Sequence, residues 1–170
     1  SADTSGTVTV GRIDINEGAT TVSSLALNMA ADAGNVTLNA LDLEDVDSTA
    51  VVVSAASGQT ASIDALVGTS NLSTITASGA GTISLFDSVD DAVIGDTVVD
   101  ATGTTGDFTV NLAAAAATNN ISVTLGDAAT NKTNTVTTGD GADNIIGGSG
   151  VDVISGGAGN DGIVGGAGND

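Results

Sequence analysis

Residues 138–170 read TGDGADNIIGGSGVDVISGGAGNDGIVGGAGND. Cut into nines, this tail becomes TGDGADNII, GGSGVDVIS, GGAGNDGIV and GGAGND. The sixth place of each unit is an aspartate: Asp143, Asp152, Asp161 and Asp170. The eighth place is Ile145, Ile154 or Ile163. Glycine holds the second place (Gly139, Gly148, Gly157, Gly166) and the fourth (Gly141, Gly150, Gly159, Gly168). The stretch before these units, ATNKTNTVT at 129–137, keeps only Asn134 at the sixth place and Val136 at the eighth. A fixed period of this kind signals a stacked repeat architecture.

Each place has a physical task. Glycine reaches positive φ and lets backbones approach closely, so a turn with three glycines can curl its carbonyls inward. The aspartate adds a carboxylate to them. Hard oxygen donors in a flexible loop suit Ca²⁺, which takes about 6–8 of them. The isoleucine two places on starts a short strand and points into a narrow core. One nonapeptide cannot bury it, but stacked nonapeptides can. A flexible Gly/Asp linker would give no reason for isoleucine at every eighth place.

The tail resembles the RTX (haemolysin-type) calcium-binding repeat, G-G-x-G-x-D-x-U-x. Units 147–155 and 156–164 match every defined place, unit 138–146 has Thr138 for the first glycine, and 165–170 matches as far as it runs. The resemblance implies a parallel β-roll with two nonapeptides per turn and calcium between loops two units apart. Asp143 would then share an ion with Asp161, and Asp152 with Asp170. Carbonyls of Gly141, Gly148, Gly150, Gly157, Gly159, Gly166, Gly168, Ser149, Ala158 and Asn160 would complete the shells. Asn134 is placed to face Asp152, but it is neutral and its unit lacks the glycines.

Composition bounds the rest. The chain of 170 residues carries 21 acidic and 2 basic side chains, a net charge of −19, with no Cys, His, Pro, Trp or Tyr. Self-repulsion of that size opposes compaction, and bound calcium would offset part of it. Nucleic acid rewards Lys and Arg, so it is not an expected partner. Without His or Cys, the usual triads and zinc centres cannot be built, and no enzymatic role is expected. Apolar residues still make up 41%, mostly small or β-branched, enough for a thin core. No stretch is long and apolar enough to span a bilayer. The chain begins without Met and stops inside a repeat, as expected of a piece of a longer protein.

Upstream of the tail, short alternating runs recur: TVTV at 7–10, RIDI at 12–15, NVTLNALDL at 35–43, AVVVS at 50–54, LSTIT at 72–76, TISLF at 82–86, DTVVD at 96–100, FTVNL at 108–112 and ISVTL at 121–125. Period-2 alternation marks half-buried strands, and the intervening Gly, Asn, Asp, Ser and Thr are turn formers. The reading is all-β: a right-handed parallel β-solenoid body over 1–134 that runs into an RTX β-roll over 135–170. A hairpin-built β-sandwich body is the alternative. Scarce aromatics and absent Asn-Gly turns favour the solenoid. TTVSSLALNMAADA at 20–33 and NLAAAAATNN at 111–120 have some helical character but read as strand or loop here.

Two acidic clusters stand in the body. LDLEDVDS at 41–48 gathers Asp42, Glu44, Asp45 and Asp47, but lacks the glycine and closing Glu of an EF-hand loop. DSVDDAVIGD at 87–96 offers Asp87, Asp90, Asp91 and Asp96. A solvated acidic turn is the plainer reading of both, a further calcium site the sharper one. The Thr/Ala/Val-rich body leading into such repeats resembles bacterial surface-layer proteins and large RTX adhesins exported by type I secretion. That resemblance implies a secreted, calcium-stabilised structural module at the bacterial cell surface, with self-assembly and a cell-surface polysaccharide as possible partners. The alternatives are the stalk or ligand-binding segment of an adhesin, or the non-catalytic tail of a secreted enzyme.

Overall fold

The computed structural model describes residues 6–14, 25–31, 34–42, 49–70, 72–113, 115 and 118–170. These residues form two parallel sheets. The first holds β1 (Thr7–Asp14), β3 (Asn35–Asp42), β5 (Thr60–Ser70), β7 (Thr82–Ile94), β9 (Phe108–Asn111), β11 (Thr133–Thr137), β13 (Ser149–Ser155) and β15 (Ala167–Gly168), in that order. The second holds β2 (Leu25–Ala31), β4 (Thr49–Ala55), β6 (Leu72–Gly79), β8 (Thr97–Thr104), β10 (Ile121–Leu125), β12 (Asn144–Ile146) and β14 (Gly162–Val164). Odd and even strands alternate along the chain, so each coil adds one strand to each sheet. This is a β-solenoid. Every strand pair among the described residues is parallel, which overturns the hairpin-built sandwich.

In a parallel in-register stack, each inward position forms a column along the solenoid axis. The eighth-place isoleucines belong to two such columns. In the even sheet, Leu27, Val51, Ile75, Val99, Val123, Ile145 and Ile163 are successive partners. In the odd sheet the column is Val10, Leu38, Ile63, Leu85, Val110, Val136 and Ile154. The repeats and the body therefore share one continuous hydrophobic core. It is dry through its middle, where Ile63, Ile75, Leu85, Val123 and Ile145 have no solvent exposure.

The structure departs from the alternation in a few places. TVTV and RIDI fuse into β1. Strand β5 was not read at all, because Asp64 and a register shift at Ile63/Ala65 break its pattern. At that shift Phe86 and Asp87 stand opposite the single residue Asp64, a β-bulge. Phe86 takes φ 65° there and is fully buried. Strand β7 then continues to Ile94, well past the run TISLF. The two segments with helical character contain strand β2 and the turn after β9. Residues 20–24, 32–33, 114, 116 and 117 of those segments lie outside the described ones.

Adjacent coils are also tied by polar side chains. Asp107 accepts hydrogen bonds from Lys132 Nζ (2.8 Å) and the Thr133 N–H (3.0 Å). The Lys132 hydrogen bond, helped by that N–H and the lysine charge and opposed by burial, holds the Asp107 carboxyl below its usual range. A depressed folded value means the contribution is present above the unfolded pKa of about 3.9 and fades as pH falls through the lower folded value. Both groups are partly exposed, so the effect is small. We expect Lys132→Met to lower the urea midpoint slightly at pH 7, with the difference vanishing near pH 2.

The core columns give a larger contrast. Phe108 has no exposure and fills the space between sheets, whereas Val153 is 54% exposed on the outer face. Phe108→Ala should destabilise by about 3–5 kcal/mol, and Val153→Ala by no more than about 0.5 kcal/mol. Urea unfolding followed by circular dichroism in calcium checks both.

Candidate metal centre

The four repeat aspartates fall at two register positions. In the even sheet, Asn144 pairs with Gly162, which puts Asp143 beside Asp161. In the odd sheet, Ser149 pairs with Ala167 and Gly150 with Gly168, leading Asp152 to Asp170. The contacts agree. Asp161 Oδ1 accepts the Asp143 N–H (3.0 Å), and Asp170 Oδ1 accepts the Asp152 N–H (3.3 Å). The structure thus brings together the two pairs expected to share ions.

The glycine turns stack by the same two-unit rule. A Cβ on Gly157 would lie 1.9 Å from the Gly139 carbonyl oxygen, and one on Gly159 would lie 1.9 Å from that of Gly141. On the other side, Gly166 sits over the Gly148 carbonyl and Gly168 over that of Gly150. Gly157 and Gly159 also have φ of 79° and 129°, a region that side chains rarely adopt. Close approach and positive φ together leave only glycine. Some of these carbonyls accept one N–H from the next turn: Gly139 from Ala158 (3.2 Å), Gly148 from Ala167 (2.9 Å) and Gly150 from Asn169 (3.2 Å). Each carbonyl has two lone pairs, so a second acceptor direction remains. Ser149 opens β13 and donates its N–H to Asp127 (3.1 Å), while Asn160 is exposed in the turn before Asp161.

The first-place glycine has a role that the spacing alone did not reveal. A Cβ on Gly156 would lie 2.4 Å from Asp161 Oδ2, and a Cβ on Gly165 would lie 2.5 Å from Asp170 Oδ2. Each aspartate folds back over the first glycine of its own unit. Gly147 and Asp152 repeat the arrangement at 2.7 Å. Thr138 takes this place in the first unit, buried, and donates its hydroxyl to the Gly156 carbonyl (3.0 Å).

Electrostatics separates these carboxylates from ordinary surface acids. Asp143 and Asp152 are 2% and 1% exposed. Asp143 Oδ1 accepts the Ile121 N–H (2.8 Å), but its buried Oδ2 has no partner. A buried charge is costly unless paired. The chain's two basic side chains are engaged elsewhere, Arg12 with Asp42 and Lys132 with Asp107. The residues therefore fit a cation from solution: an orphaned carboxylate oxygen, a second carboxylate in register, and stacked carbonyls held close by glycine. No three acidic side chains converge among the described residues, so an ion here would add backbone carbonyls or waters to a carboxylate pair.

Residues 137–170 match the family model of the RTX calcium-binding nonapeptide repeat, in four copies. Over that stretch the chain is similar to the RTX repeat. The match covers the last fifth of the chain, and neither the curated proteins nor the solved structures contain a match to it. These repeats are a calcium-binding motif, which agrees with the donor set just described.

The acidic clusters of the body look different. Asp42 is 3% exposed and ion-paired with Arg12, so it is not part of a solvated turn. Glu44, Asp45 and Asp47 lie outside the described residues. Asp87, Asp90 and Asp91 lie on β7, where their side chains are outside the description. Asp96 is exposed and accepts the Asn120 N–H (2.7 Å), and Asn120 Oδ1 accepts that of Ala142 (3.0 Å). Body turns are thus already stacked through side-chain acceptors.

The glycine geometry can be tested. Gly159→Ala should lower the melting temperature in calcium by several degrees. Gly162→Ala, whose Cβ would meet nothing closer than Asn144 Oδ1 at 3.3 Å, should change it much less. Thermal melts at saturating calcium compare the two directly.

Proposed function

We propose that this chain is a calcium-stabilised structural module of a secreted bacterial surface-layer-type protein. The observation that carries the calcium reading is the burial of Asp143 and Asp152 in a chain whose basic side chains are committed elsewhere. Asp143 with Asp161, and Asp152 with Asp170, supply the carboxylates. Carbonyls of Gly141, Gly148, Gly150, Gly157, Gly159, Gly166, Gly168, Ser149, Ala158 and Asn160 supply the remaining oxygens. A site of one or two carboxylates and several carbonyls suits Ca²⁺ better than Mg²⁺, which demands a small octahedral shell and keeps its waters.

The usual affinity range of extracellular calcium modules supports an extracellular setting. Extracellular calcium modules bind at about 10⁻⁴–10⁻³ M. At low intracellular calcium the tail's carboxylates repel and the roll stays open for export. Outside the cell, the ions close it. A net charge of −19 keeps copies apart until divalent ions bridge them, and the flat faces of the solenoid offer surfaces for lateral assembly. The module has no catalytic task in this reading. Its partners are copies of itself and a cell-surface polysaccharide. No described helix is long and apolar enough to cross a membrane.

Far-UV circular dichroism, titrated from EGTA to about 10 mM calcium with magnesium as control, tests the calcium reading. We expect a calcium-specific gain of β signal that Asp143→Asn with Asp161→Asn strongly reduces. A spectrum indifferent to calcium would contradict it. Electron microscopy of the calcium-loaded protein then tests assembly. Ordered sheets support the surface-layer role, and dispersed single particles oppose it.

A further inference from the structure

The odd-sheet aspartate column does not begin at Asp152. Register carries it back through Asn134 to Phe108, Ile83 and Ala61. Ala61, Ile83 and Phe108 are buried apolar residues, and Asn134 is completely buried between Phe108 and Asp152. Its side-chain amide donates to Asp152 Oδ1 (2.8 Å) and weakly to the Gly126 carbonyl (3.4 Å). Asp152 Oδ2 accepts the Gly148 N–H (3.2 Å). Both oxygens of Asp152 are therefore engaged without a metal on the body side.

The even-sheet column ends differently. Ile121 stands in register with Asp143 and offers only its backbone N–H, leaving Asp143 Oδ2 unpartnered. The two columns thus meet the apolar body by different chemistry. One sets a side-chain N–H donor against the carboxylate and leaves the amide's own Oδ1 buried without a partner, and the other leaves a carboxylate oxygen open.

We infer that Asn134 terminates the calcium ladder on the odd sheet. Its amide takes the position that an ion would hold on the inner side of Asp152, and so fixes how many ions the chain binds. This rests on the calcium reading above. An aspartate at 134 would set a carboxylate against Asp152, with the Gly126 carbonyl nearby. That restores the repeat's sixth-place residue and asks for one more cation. A leucine at 134 would extend the apolar column by one coil and remove the donor.

The test measures Ca²⁺ bound per chain by equilibrium dialysis, with circular dichroism confirming the folded state in calcium. If the unaltered chain binds no calcium, the underlying reading fails, whatever the variants do. If it binds calcium, Asn134→Asp should bind one more ion per chain and melt earlier than the unaltered chain in EGTA. Asn134→Leu should keep the unaltered ion count and also melt earlier in EGTA. An unchanged count in folded Asn134→Asp would overturn the inference. So would the loss of an ion in Asn134→Leu, because Asn134 would then be a ligand itself. Should Asn134→Asp not fold even in calcium, the Asn134→Leu count decides.

Discussion

Parallel in-register stacking is the constraint on which this protein is built. Outside a few register shifts, each inward position is repeated above itself in the next coil, separated by the spacing between neighbouring strands, about 4.7–4.9 Å. A column of aliphatic side chains gains from that repetition, because each residue covers the next. A column of carboxylates is penalised by it, because like charges are brought close in a buried setting. The body uses the first kind of column. The tail keeps the aliphatic column at its eighth place and puts the second kind at its sixth. The carboxylate column is tenable only with something positive between its members, and the chain has almost nothing positive to give.

This explains the division of labour along the solenoid. From Leu72 to Leu125 the sixth-place equivalents are apolar or satisfied polar groups. Thr97, for example, is buried and donates its hydroxyl to the Leu72 carbonyl at 2.7 Å. Those coils have wide turns and hold together by burial. In the tail the coil shortens, and successive partners such as Val136 and Ile154 are only 18 residues apart. A shorter coil has less room for a core, yet Ile145, covered on both sides by Val123 and Ile163, is still fully buried. The turns of these shorter coils hold the glycines and aspartates, so carbonyl and carboxylate oxygens gather there.

The sequence made the tail legible because its period is strict and its positions differ in chemistry. The pairing of Asp143 with Asp161 and of Asp152 with Asp170 was readable from the two-unit rule of the RTX resemblance. The body was legible as strands but not as coils. Its even column has a period of its own: Leu27, Val51, Ile75, Val99 and Val123 are each 24 residues apart. That signal was available and was missed, because the residues change identity and the odd column is irregular. There the step runs from 22 residues between Ile63 and Leu85 to 28 between Val10 and Leu38. The hydrogen bonds of individual side chains were hidden. The place of Asn134 opposite Asp152 was readable, but neither the hydrogen bond its amide donates there nor the fold of the Asp161 carboxylate over Gly156 can be seen without coordinates.

One continuous core runs from the body coils into the repeat coils, and only the repeat coils should depend on the ion. Hydrogen–deuterium exchange, resolved by peptide and run in calcium and in EGTA, tests it most directly. EGTA should strip protection from residues 138–170 while strands β6 to β10 stay protected. Equal protection of the tail in both conditions would contradict it. So would a loss spread evenly over the whole chain, since the body would then depend on the ions as much as the repeats do.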